Sequence, residues 1–581
     1  MFQKVLIANR GEIALRILRA CKELGIQTVA VHSVADANAM HVRLADESVC
    51  IGPNPAKDSY LNIPSILAAC EITGADAVHP GYGFLSENAR FARILTEHKI
   101  TFIGPSSHHI EIMGDKITAK KTAVELGIPV VPGSEGEITT AEDAMALAND
   151  IGYPVIVKAT AGGGGRGMKV ARNDEEMRIA ISTARSEAKA AFGNASVYIE
   201  KYLEKPRHIE VQVLGDGQGN AVHLGTRDCS LQRRHQKLVE EAPAPFLSAA
   251  QFDLLYTSSK AILREVGYVG AGTCEFLVAS DGTISFLEVN TRLQVEHPVS
   301  EEVTGIDLVR EQFRIAEGGT LDYDDPEPQG HSFEFRINGE DPGLNFMPTP
   351  GPVNVLRFPG GPGVRVDSGV TTGDVIGGAF DSLLAKLIVT GASREDALER
   401  SRRALDEFEV AGLPTVLPFH RRIVRDPAFT SEPFSIYTRW IETDFDNDIE
   451  PWTGSLPDAA PSSSRQNVVV EVGGKRIEVS LPARMLGSAA SAAAVVPPRR
   501  SAGSAVATAT GNSVKAPMQA TIVKLAVADG DRVVKGDLVL VLEAMKMEQP
   551  LTAHKDGTVA DINAAVGATV SSGHLLLNIV D

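Results

Sequence analysis

No apolar run in this chain approaches the ~20 residues that cross a bilayer, so no membrane partner is expected. The opening MFQKVLIANRGEIA lacks the apolar core of a signal peptide and reads as a strand running into a helix. Cysteine is scarce. Cys21, Cys50, Cys70, Cys229 and Cys274 are scattered, odd in number and without CxxC spacing, which argues against a disulfide framework or a zinc site and fits a reducing cytoplasm. Positive charge is in deficit: a net charge of -18 argues against nucleic acid or an anionic lipid surface as partner. Aromatics are few at 5%, beside 43% hydrophobic and 22% charged residues, the balance of a soluble globular protein. With 581 residues the chain exceeds one core, and three or four domains are expected.

What is present is ordered along the chain. Residues 1–115 alternate strand and helix: KVLIAN, then GEIALRILRACKELG with Ile13, Ile17, Leu18, Cys21 and Leu24 on one face, then TVAVHS. That is βαβ patterning and predicts a parallel sheet. Residues 116–330 form a richer α+β region. In residues 331–445 the strand-like HSFEFRING, GVRVDSG and LLAKLIVTG precede a helical REDALERSRRALDEFEV. Residues 446–482 are a reduced region, an acidic Pro- and Ser-rich loop followed by the hairpin NVVVEVGGKRIEVSL turning at Gly473-Gly474. Residues 483–513 are a low-complexity, flexible linker.

Residues 514–581 contain an internal repeat. At an offset of 37 residues Thr521 matches Thr558, Gly530 matches Gly567, and Leu538, Leu540 and Leu542 match Leu575, Leu577 and Ile579. Apolar residues at alternate positions with glycines at turns predict two similar sheets packed face to face, a small flattened barrel. Between the copies falls EAMKMEQP, which sets Lys546 between two methionines at the hairpin joining the halves. A lone turn lysine is ordinarily a solvated surface charge. Its place on the pseudo-symmetry axis of a repeat argues for more.

Several stretches carry chemistry. AGGGGRGMKV (161–170) follows the strand YPVIVKAT; its glycines let backbone N–H groups approach phosphate oxygens, although it has neither a Walker A nor a GxGxxG pattern. Lys158, on that strand, can reach a phosphate. In GTCEFLVASDGTISFLEVN, a turn at SDGT pairs residues whose numbers sum to 563, so that Ala279 faces Ile284 and Glu275 lies opposite Glu288. Opposed carboxylates destabilise a sheet unless something positive lies between them, and Glu288→Lys is expected to relieve that repulsion. With Asn290 two residues on, the pair forms a hard-oxygen set suited to Mg²⁺ on ATP phosphates. The same strand is expected to continue through EVNTRLQVEHP, with Glu288, Asn290, Arg292, Gln294 and Glu296 on one face as an active-site floor. RDCSLQRRHQK is basic in an acidic chain, and Arg233, Arg234, His235 and Lys237 suggest an anion pocket. HPGYGFLSENA (79–89) is a strand end entering a glycine-rich loop, a usual ligand position at the carboxyl edge of a parallel sheet.

These motifs resemble known families. VKAPMQATIVK…LEAMKMEQP resembles the biotinyl carrier domain, in which the lysine of A-M-K-M is covalently biotinylated; this implies covalent biotin on Lys546. One departure is Ala520, where that family usually has Gly, as the second repeat does at Gly557. VLIANRGEIA, HPGYGFLSEN, IGP, MGDK, GGGGRGM, RDCSLQRRHQK, FLEVNTRLQVEHPV and RINGEDP, in that order over roughly residues 1–445, resemble biotin carboxylase of the ATP-grasp superfamily. The implied fold is α/β plus α+β: a Rossmann-like pre-ATP-grasp domain (1–115), an ATP-grasp domain (116–330) and a biotin carboxylase C-terminal domain (331–445), with the carrier at 514–581.

The resemblance implies ATP binding by Lys116, Lys158, His208, Gln232, His235 and the run Glu200, Lys201, Tyr202, Leu203, with Gly163, Gly164, Gly165 and Arg166 over the phosphates. Glu275 and Glu288 would also meet ATP and, with Asn290, hold Mg²⁺ or Mn²⁺. Bicarbonate would lie against Lys237, Arg292, Gln294, Val295 and Glu296, with Glu296 as the base; Tyr82 and Arg336 would bind biotin. The whole chain resembles the alpha subunit of acetyl- or propionyl-CoA carboxylases. That implies ATP- and bicarbonate-dependent carboxylation of carrier-borne biotin through carboxyphosphate. It also implies a separate carboxyltransferase beta subunit forming malonyl- or methylmalonyl-CoA, a biotin protein ligase, and a homo-oligomer through the carboxylase region. Service to a pyruvate or other acyl carboxylase, a non-enzymatic carrier role and a lipoyl carrier stand as alternatives.

Overall fold

The computed structural model describes residues 2–134, 136–138, 140–160, 168–192, 194–454, 465–472, 475–482, 511–518, 520–544, 547–571 and 573–580. The N-terminal region is a five-stranded, all-parallel sheet in the order Glu47–Gly52, Gln27–Ser33, Lys4–Ile7, Ala77–His79, Thr101–Phe102. Its central strand, KVLI, is apolar and buried after Lys4 because both faces of a parallel sheet are covered. The helix Gly11–Glu23 buries Ile13, Ile17, Leu18 and Cys21 as its spacing predicts, whereas Leu24 is half-buried at the C-cap. Glu12, Ala14, Leu15 and Arg16 are buried as well, so the helix is enclosed almost all round. It lies between its own sheet and the helix Leu308–Ala316, with the strand Val364–Ser368 also against it.

The largest element is an eight-stranded antiparallel sheet. Its order is Ile284–Asn290, Val269–Val278, Arg207–Asp216, Ala221–Arg233, Gln236–Ala242, His331–Asn338, Leu383–Gly391, Val364–Ser368. The sheet runs unbroken across residues 330/331, because Gln236–Ala242 pairs with His331–Asn338 from Val239↔Phe335 to Ala242↔Ser332. A separate three-stranded sheet, Lys169–Ala171, Val155–Ala159, Val197–Lys201, carries the helices Ala141–Ile151 and Asp174–Phe192 over its own small core. The helix Arg394–Glu407 stops earlier than its sequence pattern predicts: Phe408 turns to extended backbone and is buried, and Glu409–Ala411 becomes a strand against Val355–Arg357.

The strands Arg465–Val472 and Lys475–Pro482 form the expected hairpin, with Val472 opposite Lys475; Gly473 and Gly474 lie outside the described residues, as does the linker over 483–510. The C-terminal region is two four-stranded sheets around one apolar core. The repeat is visible strand by strand, Arg532–Val533 recurring as Thr569–Val570 and Leu538–Ala544 as Leu575–Val580. One sheet is ordered Ser513–Lys515, Leu575–Val580, Gly557–Ala560, Arg532–Val533, and the other Met547–Thr552, Leu538–Ala544, Ala520–Leu525, Thr569–Val570. Exchanging the two copies converts one order into the other. A Cβ at Gly557 would meet the Val580 carbonyl oxygen at 2.5 Å, so glycine is required there. Ala520, its counterpart, is buried with no left-handed backbone and fits as alanine.

Candidate active site

A cavity of 640 Å³ lies where the N-terminal sheet, the eight-stranded sheet and the three-stranded sheet converge. Every described residue that the resemblance to biotin carboxylase assigns to the site lines it: Tyr82, Lys116, Lys158, Glu200 to Leu203, His208, Gln232, His235, Lys237, Glu275, Glu288, Asn290, Arg292 to Glu296 without Leu293, and Arg336. Gly163, Gly164, Gly165, Arg166 and Lys546 lie outside the described residues.

At one end sit the lysines. Lys116 is the first residue of the helix Lys116–Glu125, whose N-cap Asp115 accepts from the Thr118 N–H at 2.8 Å and its hydroxyl at 2.6 Å. The Lys116 ammonium meets Glu288 at 2.8 Å. Lys158 and Glu200 lie on adjacent antiparallel strands, diagonal across the ladder, and Lys158 donates to Glu200 Oε2 at 2.6 Å. Lys120, which sequence reasoning missed, pairs with the other oxygen of Glu200. Burial and the nearby Lys116 push Lys158 down to about 8, a cationic pocket short of counter-charge.

The carboxylate floor has the expected centre and an unexpected register. Glu275 does face Glu288, but near the turn Val278, not Ala279, faces Ile284. Phe276 pairs with Phe286 and Glu275 with Glu288, so Leu287 is the extra residue of a β-bulge, which shifts the pairing by one. The strand also ends at Asn290 instead of running through Glu296. From there Arg292 bonds Glu87 at 2.8 Å and the Asn290 side-chain oxygen at 3.0 Å, turning the chain into a loop that closes onto the helix His297–Thr304. Arg292, Gln294 and Glu296 still reach the cavity, from the loop.

Beneath lies a row the sequence reading did not use: Glu288, Glu275, Glu210 and Arg227 are consecutive cross-strand partners on four strands. Arg227 bonds Glu210 at 3.0 Å and Gln294 at 2.5 Å. The polar alternation His208, Glu210, Gln212 in RHIEVQV was the available signal. Protein cations already neutralise the pair: Lys116 on Glu288, and His208 (2.9 Å) and Lys237 (3.6 Å) on Glu275. Burial opposes the Glu275 charge, but Lys237 and His208 hold its carboxyl well below the usual range. Glu288→Lys would therefore set a cation against Lys116, which overturns the expected relief of repulsion. Two carboxylates and an amide oxygen, interleaved with lysines, suit a hard divalent cation that bridges to phosphates.

At the other end the Glu296 carboxylate is shared between Lys237 at 2.5 Å and Arg336 at 2.9 Å. Burial works against its charge, yet Lys237, Arg336 and Arg227 hold it far below the ordinary carboxylate range. Arg336 is braced by Glu240 at 2.6 Å, and Lys237 by Glu210. Of the basic run, Lys237 and His235 face the cavity. Arg233 and Arg234 do not line it: Arg233 stacks on Phe346 and bonds Asn345, and Arg234 is the exposed first residue of a tight turn whose N–H donates to Glu442. An anion pocket of four basic residues is thereby reduced to two.

A nucleotide-sized cavity between a small three-stranded sheet and a carboxylate floor, with cations at both ends, is the arrangement of an ATP-grasp ligase. Family models agree along the chain: "Biotin carboxylase, N-terminal domain" over residues 1–110, "Carbamoyl-phosphate synthase L chain, ATP binding domain" over 115–324, "Biotin carboxylase C-terminal domain" over 334–443 and "Biotin-requiring enzyme" over 512–579. A biotin-dependent acyl-coenzyme A carboxylase alpha3 subunit of Mycobacterium leprae is 53% identical over 99% of this chain and 98% of its own length. A biotin carboxylase of Pseudomonas aeruginosa is 55% identical over 75% of this chain and 98% of its own. The crystal structure of a Campylobacter jejuni biotin carboxylase complex matches with TM-score 0.74 and 46% identity, covering 76% of this chain and 99% of that one. The Hydrogenobacter thermophilus 2-oxoglutarate carboxylase biotin carboxylase domain, solved with MgADP and bicarbonate, matches with TM-score 0.73 and 47% identity over 76% of this chain and 97% of that one.

The chain belongs to the alpha subunits of the biotin-dependent acyl-CoA carboxylases, a biotin carboxylase fused to a biotin carrier. It is a ligase that works with covalent biotin, ATP, Mg²⁺ and bicarbonate. Among the described residues no helix is long and apolar enough to cross a membrane.

Proposed function

We propose that the two ends of the cavity divide the reaction, ATP at Lys116 and Lys158 and biotin at Tyr82 and Arg336, with bicarbonate between them at Lys237, Arg292, Gln294 and Val295. The observation that carries this reading is the Glu296 carboxylate suspended between Lys237 and Arg336. Bicarbonate is a poor nucleophile until it loses its proton, and Glu296 is placed to accept that proton at a carboxylate oxygen. At rest the two cations suppress its basicity. An entering bicarbonate draws Lys237 and Arg292 to its own oxygens, and Glu296 regains affinity for a proton as bicarbonate attacks the terminal phosphate of ATP. Lys116 and Lys158 hold the charge that gathers on the phosphates. Glu275, Glu288 and Asn290 would hold the divalent cation, Mg²⁺ or Mn²⁺, which when bound supplies further charge neutralisation. Arg336, its guanidinium already turned toward Glu296, would hold the ureido oxygen of bound biotin through a charge-assisted hydrogen bond.

Lys546 carries the biotin in this reading, attached by a biotin protein ligase, and the carboxyl group passes to a carboxyltransferase beta subunit acting on acetyl- or propionyl-CoA to give malonyl- or methylmalonyl-CoA. The carboxylase region forms a homo-oligomer within that complex. Glu296→Gln is the direct test. It should abolish bicarbonate-dependent ATP cleavage, raising the barrier by several kcal/mol, roughly 10²- to 10⁴-fold in rate, while nucleotide affinity stays within about twofold. Turnover near that of the parent would remove Glu296 from the role of base. Mixing the biotinylated chain with a candidate beta subunit and assaying acetyl-, propionyl-CoA and pyruvate decides the acceptor.

A further inference from the structure

Lys386 is fully buried, on the strand Leu383–Gly391, and takes no direct part in the chemistry above. Its ammonium donates to the Val295 carbonyl oxygen at 2.8 Å and meets Glu12 Oε1 at 3.2 Å. The same Glu12 oxygen accepts the Tyr82 hydroxyl. Across the sheet Lys386 is the direct partner of Arg336. One side chain thus ties the N-terminal helix with its Tyr82 loop, and the loop preceding Glu296, to the strand pair that carries Arg336.

The surrounding backbone is built for that meeting. Asn9 bonds the Pro80 carbonyl at 2.7 Å and the Tyr82 carbonyl at 2.8 Å, fixing the Tyr82 loop to the start of the helix Gly11–Glu23. A Cβ at Gly369 would lie 2.5 Å from the Gly11 carbonyl carbon and 2.7 Å from the Glu12 nitrogen, so the C-terminal region touches that helix start backbone to backbone. Burial opposes the charge on Lys386, and Glu12, Glu334 and Asp367 restore it, so the ammonium stays protonated. Burial of an ion with such a partner set is costly, and a methionine of similar volume would fill the space without it. Retention of a charge here points to placement of groups and not to cohesion.

Resting on the proposed roles of Tyr82 and Arg336, we propose that Lys386 is a positioning residue for biotin carboxylation: through Glu12 it sets Tyr82 at a fixed distance from its cross-strand neighbour Arg336. Without it the nucleotide end, more than one strand away, keeps its geometry, while the biotin end loses register. ATP cleavage then continues but is poorly coupled to biotin.

The test uses the full chain with free biotin as acceptor. Lys386→Met should raise the KM for biotin at least about tenfold and raise the ATP cleaved per biotin carboxylated, with the KM for ATP within about twofold of the parent. Lys386→Met leaves Glu12 without its cation and is expected to lower the melting temperature. The double variant Lys386→Met with Glu12→Gln removes that charge and should recover the melting temperature but not the biotin KM. Recovery of both, or a parental biotin KM in the single variant, overturns the proposal and leaves Lys386 a structural ion. If the parent itself fails to carboxylate free biotin while cleaving ATP, the functional reading fails instead, and the two failures are told apart by that control.

Discussion

At the scale of single residues the site is governed by how many cations share each carboxylate. Glu200 serves Lys120 and Lys158, Glu288 serves Lys116, and Glu296 serves Lys237 and Arg336. The ATP end therefore holds more lysines than carboxylates before its ligand arrives. Lys158 illustrates the consequence. Its folded value of about 8 lies below the ordinary lysine value of about 10.4, so between those pH values the unfolded chain holds a proton that the folded chain lacks. Stability from this group thus rises as pH climbs from about 8, where the buried charge is shed, toward about 10.4. Phosphate oxygens reverse the balance by pulling Lys158 back up. Binding of a non-hydrolysable ATP analogue at pH 8 should take up protons, seen as a binding heat that differs between buffers of different ionisation enthalpy. Proton release, or a heat independent of buffer, would sink this account.

At the scale of elements, placement depends on caps and bulges that patterning reads only in part. Asp115 caps the helix that begins at Lys116, so the helix start and the lysine proposed to meet ATP are one object. Asp115→Ala should cost about 1 kcal/mol of stability and raise the KM for ATP several-fold, because Lys116 loses its fixed origin. A stability loss with unchanged ATP KM would show that the cap serves the fold alone. The carboxylate pair Glu275–Glu288 was legible because hairpin pairing is arithmetic. The bulge at Leu287 was not, since nothing in SFLEVN distinguishes an extra residue from a paired one. Nor was the end of that strand at Asn290: period-two alternation persists through Glu296, and only the Arg292–Glu87 ion pair, remote by about two hundred residues, shows why the chain turns. Arg233 looked like a ligand by charge density, and tertiary contact with Phe346 decided otherwise.

At the scale of the molecule, the parallel N-terminal sheet and the duplicated C-terminal barrel were legible from pattern, whereas the unbroken sheet across residue 330 was not, because strand neighbours from distant segments leave no local signal. The carrier and the carboxylase lie on one chain, which holds the carrier at an effective concentration on the order of millimolar. Lys546→Ala should therefore leave carboxylation of free biotin at the parental rate and abolish acyl-CoA carboxylation with the beta subunit present. Intact mass should show one biotin on the parent, on the Lys546 peptide, and none on the variant. Biotin on another lysine, or acyl-CoA carboxylation by the variant, would end the shuttle reading.

The interleaving of the carrier's two sheets reaches further than its stability. Each sheet takes its outer strands from one copy of the 37-residue repeat and its inner strands from the other, so neither copy owns a sheet it could form alone. Two separate chains of half the length, related by a dyad, could make the same barrel. The carrier thus has the anatomy of a two-fold dimer whose halves are joined head to tail in one chain. Lys546, proposed above to carry biotin, falls in the sequence at the junction of the two copies, the one connection that two separate chains would lack.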